Sequence, residues 1–328
     1  MSDQTETRAA ADAETRPEVR ATVPWVPVGV FAVVSCGLAW LVASPLWARG
    51  QGLADPLLPL IAMAMMLTPA VATFVAIVVE GRLNGRRPAR DILRGLGMWP
   101  LRPVGRTIGT SVVMIFAMPL VVGAGLVVVG LLGLAVFDPV GFSGFTELIA
   151  GQLPPGQPLP PMGLVVAAQL MMIPVGAIVN APLAFGEEVG WRGWLLPALR
   201  PLGVWPALLV SGAFWGFWHS PLILLGYNYG LTDVTGVLLM VLACTLFGVL
   251  LGWTRLRTGS VWPAVFGHGA FNASAGLGAL VVAAGSPVPE AWLASPLGLI
   301  SCGVFAVVIV LLVAAGQFRG AKVSARLA

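Results

Sequence analysis

Charge is what this sequence has least of. Only 10% of its 328 residues are Asp, Glu, Lys or Arg, against about 25% in soluble domains, which excludes a soluble globule. There is a single lysine, Lys322, beside 17 arginines, and the only histidines are His219 and His268. The three cysteines, Cys36, Cys244 and Cys302, all fall inside apolar runs, so there is no disulfide framework and no CxxC metal motif; they read as small core residues. The formal charge of +4 does not point to nucleic acid, because the basic residues lie between the apolar runs.

Apolar residues make up 58% of the chain, and the mean hydropathy is +0.91. Runs such as 26–47, 57–79 and 293–315 each reach the roughly 20 residues that a helix needs to cross about 30 Å of hydrocarbon. A transmembrane barrel is excluded, since its strands are about 10 residues of alternating polarity. The fold class is therefore all-α, a polytopic transmembrane helix bundle in the lipid bilayer. About eight spans are expected: 25–48, 57–79, 107–136, 163–182 with a helical continuation to 199, 205–225, 234–253, 260–284 and 291–315. The charged, apolar-poor segment 1–22 reads as a disordered cytoplasmic tail, 23–318 as the membrane domain and 319–328 as a second cytoplasmic tail.

Short cytoplasmic loops retain Lys and Arg during insertion. With the N-terminus inside and eight spans, seventeen of the eighteen basic residues fall on the cytoplasmic face, seven of them between Arg82 and Arg106, and only Arg49 falls outside. Both termini are thus expected to be cytoplasmic in a multi-pass protein of the cell membrane. The outer segment 138–162 is Pro-rich, free of basic residues, and reads as an irregular connection.

Few ionisable residues remain at membrane depth: Glu187, Glu188, Arg192, His219 and His268. Each costs about 2.5 to 3.5 kcal/mol at the centre of a spanning helix, so each needs a reason. Glu188 and Arg192 are i and i+4 and stack on one face as a buried tie, leaving Glu187 for other duty. Small residues flank this pair and let another helix approach. His268 and Asn272 are likewise i and i+4. With a turn near Leu202, Glu187 lies 15 residues before it and His219 17 after it, so a hairpin brings them level. A Glu, two His and an Asn from three helices are expected in one pocket. The tryptophans near them, Trp191, Trp194, Trp215, Trp218 and Trp262, read as interface anchors and packing residues.

These residues resemble the CPBP family, the CAAX-prenyl protease and bacteriocin-processing group of intramembrane proteases, also called Abi. Its EExxxR motif is matched by Glu187, Glu188 and Arg192, and its HxxxN motif by His268 and Asn272. Its FxxxH motif is matched in His219 alone, with Trp215 where Phe is usual. The resemblance covers about 163–284. It implies an intramembrane endopeptidase acting on membrane-associated peptides or proteins. The roles implied are Glu187 as base on water, His219 orienting that water, and His268 with Asn272 polarising the scissile carbonyl, while Glu188 and Arg192 support the helix. A zinc variant would use Glu187, His219 and His268 as ligands, although no HExxH is present. A catalytically silent membrane immunity or scaffold protein, or a transporter, are the alternatives.

Overall fold

The computed structural model describes residues 22–154 and 156–319, so the two expected tails lie outside the described residues apart from Thr22 and Arg319. Regular structure among the described residues is helical. Six stretches are long and apolar enough to cross a membrane, namely Trp25–Ala48, Leu58–Asn84, Val104–Leu131, Met162–Leu202, Val234–Thr258 and Ala291–Ala314. The protein is a multi-pass membrane protein, and the eight expected segments are all present as helix, though two of them are shorter than a full span.

Proline sets many of the boundaries, because its missing N–H and fixed φ are tolerated in the first turn. In chain order, α1 is Trp25–Ala48, α2 Leu58–Met66, α3 Thr68–Asn84, α4 Ala89–Gly95 and α5 Val104–Leu131. Pro59 and Pro69 are the second residues of α2 and α3, and Pro88 and Pro103 immediately precede α4 and α5. Then come α6 Ser143–Ala150, α7 Met162–Glu188, α8 Leu196–Leu199, α9 Val204–Trp218 and α10 Ser220–Ile223. The chain closes with α11 Val234–Thr258, capped by the Asp233 carboxylate on the Thr235 N–H, α12 Trp262–Ser274, α13 Leu277–Val281, α14 Ala291–Ala294 and α15 Leu299–Ala314.

The shortened members are α9, of 15 residues, and α12, of 13. Helix α9 stops before His219 and resumes at α10, while α12 gives way after Ser274 to α13. Broken helices at membrane depth are tolerated where protein rather than lipid surrounds them. That condition is met by α12, which packs against both α7 and α5 and buries most of its residues, and α9 lies along α11. The expected continuation of the fourth span is present, since Met162–Leu202 runs as 41 helical residues.

The 138–162 connection is more ordered than its composition implies. Asp138 accepts hydrogen bonds from the N–H groups of Gly141 and Ser143, leading into α6. Its own N–H donates to the Val281 carbonyl, and Phe137 pairs with Val282 in an antiparallel bridge. Backbone groups that lack a helix find partners here across about 140 residues of sequence, which no local pattern signals.

Candidate active site

Glu187 and Glu188 are the last two residues of α7. Beyond them the chain widens into a π-helical segment, Val189–Leu195, in which all seven residues are buried. Such turns are rare and gather at functional sites. The small residues around the pair are needed for packing: a Cβ on Gly186 would lie 2.7 Å from the Met66 carbonyl oxygen, and one on Gly190 2.7 Å from the Pro69 Cβ. The junction of α2 and α3 therefore lies directly against the motif, as the flanking small residues imply.

Glu188 is fully buried, and its Oε1 accepts from Arg192 Nη1 at 2.9 Å and from His268 Nδ1 at 2.9 Å. The expected Glu188–Arg192 tie is present, with His268 as a third member. The Arg192 guanidinium also sits 4.1 Å from the centroid of the Trp215 ring, a cation–π contact that offsets part of its desolvation.

Trp215 holds both remaining groups. Its indole N–H donates to Glu187 Oε2 at 2.6 Å, and its carbonyl accepts from His219 Nδ1 at 2.8 Å. A carbonyl can only accept, so the His219 proton on Nδ1 is fixed and Nε2 is the free nitrogen. His268 is committed through Nδ1 in the same way. Trp218 backs His219 edge-on, ring centroids 4.6 Å apart, and anchors its own N–H on Thr68 Oγ1 at 3.0 Å.

Glu187, His219, His268 and Asn272 all line one cavity of about 300 Å³, together with Cys244 and Phe247. The convergence expected from helix register is present, drawn from α7, the end of α9, and α12. One expected detail differs: His268 pairs with Glu188, so Glu188 reaches further into the site than a tie to Arg192 alone. Of the tryptophans expected as interface anchors and packing residues, Trp191, Trp194, Trp215 and Trp218 are packing residues, at 3% exposure or less. Among the described residues no three His, Cys, Asp or Glu side chains are grouped to hold a metal ion.

Two residues were given no polar role at the site by the sequence. Trp215 reads as packing, because its donor matters only once Glu187 is seen opposite it. Arg255 reads as one of the loop arginines, yet it is 1% exposed. Its Nε donates to the Arg192 carbonyl at 3.0 Å, its Nη2 to the Gly95 carbonyl at 2.6 Å and its Nη1 to Gly259. Gly97, at φ +69°, makes room for it, since a Cβ there would lie 2.6 Å from the guanidinium carbon. One arginine thus joins the motif backbone, the end of α4 and the turn before α12.

Residues 167–274 match the family model described as Rce1-like, the Type II CAAX prenyl endopeptidase Rce1-like family. No curated protein and no solved structure matches the chain. The matched stretch begins within α7, ends at the last residue of α12 and contains every residue of the three motifs. Over this core, a third of its length, the chain is similar to the CAAX protease family.

Proposed function

We propose that this protein is an intramembrane endopeptidase that hydrolyses a peptide bond in membrane-associated peptides or proteins, by glutamate-activated water. The observation that carries the reading is that Glu187, His219, His268 and Asn272 face one cavity from three helices, inside the stretch that matches a peptidase family. Peptide hydrolysis needs a base on water, a group to pass the proton to the leaving amine, and donors toward the oxyanion. Glu187 is the base, held in place by the Trp215 N–H. His219, with its Nδ1 proton spent on the Trp215 carbonyl, presents Nε2 to the same water. His268, fixed through Nδ1 by Glu188, presents Nε2, and Asn272 supplies an amide N–H toward the carbonyl oxygen.

The assignment of both termini to the cytoplasmic face of the cell membrane belongs to the same proposal and rests on the distribution of arginine.

The test is incubation of the purified full chain in lipid vesicles with a library of membrane-tethered peptides, read by mass spectrometry. Cleavage products that vanish with Glu187→Gln support the proposal. An intact library with folded wild-type protein overturns it in favour of a catalytically silent membrane protein.

A further inference from the structure

A second cavity, of about 530 Å³, lies apart from the motifs and is lined by Arg90, Arg94, Trp99, Leu101, Arg102 and Val104, with Pro100. None of its lining residues is acidic. None of its three arginines enters an ion pair among the described residues. Nearby carboxylates do not neutralise it: Glu80 is occupied by Arg87, and Asp91 does not line the cavity. The wall of the cleft is mostly apolar, and Arg90, Arg94 and Arg102 border it without a carboxylate partner.

The apolar part of the wall says which anion. Trp99 is 61% exposed and Val104 50%. Val104 is the first residue of α5, a 28-residue spanning helix, so the cleft sits where the chain passes from water into hydrocarbon. Exposed Trp and Arg at that level are the residues that hold a membrane interface, and basic clefts there take lipid head groups. The cleft is also anchored to the core. The Gly95 carbonyl just after Arg94 accepts from Arg255, and the Met98 carbonyl just before Trp99 accepts from the Trp262 indole at 3.1 Å.

We propose that this cleft is a binding site for an anionic phospholipid, its glycerol and first acyl carbons in the cleft against Trp99, Leu101 and Val104 and its phosphate at the rim beside Arg90, Arg94 and Arg102. The arginine fork suits a phosphate. The aromatic and aliphatic wall suits the glycerol and acyl carbons that a lipid phosphate carries and a free ion lacks. The proposal is independent of peptidase activity.

The experiment is native mass spectrometry of the full chain in detergent, with dioleoyl phosphatidylglycerol, dioleoyl phosphatidylcholine and inorganic phosphate as probes. Wild type is expected to retain phosphatidylglycerol over phosphatidylcholine. The double variant Arg90→Gln/Arg94→Gln should lose that retention at least tenfold, while Arg82→Gln/Arg86→Gln, which removes equal charge outside the cleft, should not. Equal loss in both variants, or no preference in wild type, overturns the cleft as a lipid site. Displacement of the lipid by inorganic phosphate at comparable concentration overturns the lipid assignment in favour of the free ion. A photoactivatable phosphatidylglycerol on wild-type protein needs no variant: its crosslink should map to residues 90–104, and a map confined to other segments sinks the proposal.

Discussion

The indole N–H of Trp215 crosses from α9 to meet the Glu187 carboxylate at 2.6 Å, at the position where the motif it resembles carries a Phe. Trp215→Phe keeps a ring beneath Arg192 and removes only the donor. A hydrogen bond to a charged group contributes about 1.5 to 3 kcal/mol, so the variant should lose about that much stability. Trp215 is a positioning residue on the proposed mechanism, so kcat should fall more than KM rises. Melting in detergent and steady-state kinetics check the two parts. An unchanged melting temperature would show that the bond contributes nothing.

The three-way contact of Glu188 with Arg192 and His268 is open to a double-mutant cycle. Arg192→Met leaves a buried carboxylate short of its cation and should destabilise by about 3 to 5 kcal/mol. Glu188→Gln/Arg192→Met together should cost less than the sum of the single changes, because neither then leaves a buried charge unpaired. Denaturation in detergent decides it, and strictly additive values would mean the pair is not coupled.

Glu187→Gln keeps the shape of the side chain but cannot take a proton. Turnover should drop by about 10² to 10⁴ with the fold retained, judged by circular dichroism and melting. Asn272→Ala should cost about 2.7 to 4 kcal/mol of barrier if its amide faces the oxyanion. Elemental analysis of active protein bears on the zinc alternative: about one Zn per chain, lost with His219→Ala and His268→Ala, would replace the metal-free mechanism.

Outside the spans, the Ser143 hydroxyl and the N–H groups of Gly141 and Ser143 hold the Asp138 carboxyl below its ordinary value. The Leu57 N–H, followed by Arg49, does the same for Asp55. A carboxyl lowered in the folded state stabilises the fold above its unfolded value of about 3.9, and that contribution is lost as pH falls through the lower folded value. Hydrogen exchange of the 138–150 segment should therefore be flat from about pH 7 to about 4.5, after correction for intrinsic rates, and quicken below. In Asp138→Asn the acid step should disappear. A step that persists in that variant would assign it elsewhere.

Topology can be read with a single cysteine. After replacement of Cys36, Cys244 and Cys302, a cysteine at Gln157, which is exposed, should react with an impermeant thiol reagent added outside intact cells. One at Asn84, at the end of α3, should react only after the membrane is opened. The reverse pattern would invert the orientation.

Much of the site was legible because membrane depth is a strict filter. Glu187, Glu188, His219 and His268 are too costly in hydrocarbon to be accidental, and helical rise alone levels Glu187 with His219. Arg255 escaped the same filter. It stands near the end of α11, where an arginine is cheap and common, and its burial depends on the Gly95–Gly97 segment arriving from about 160 residues away. Partners of that kind are set by tertiary packing, as are the Asp138 cap and the Phe137–Val282 bridge. The two short spans were missed for a related reason: the hydropathy of 205–225 and 260–284 is that of a full crossing, while the breaks at His219 and Ala275 answer to the cavity those helices build.

The π-helical segment Val189–Leu195 carries one residue more in its turn than the α-helix on either side would hold. A helix whose flanks are pinned by neighbours can hold an added residue only by bulging. The surplus residue and the scaffold are then separable. Shortening the turn by one residue lets the α-helical ladder close while α7 and α8 keep their rotational phase against the bundle. What changes is the local offset that lets the Arg192 side chain meet Glu188 while its carbonyl faces Arg255. A chain shortened there would keep the bundle and set different neighbours around the motif, which makes the bulge the place where a plain membrane helix and a site-bearing one part company.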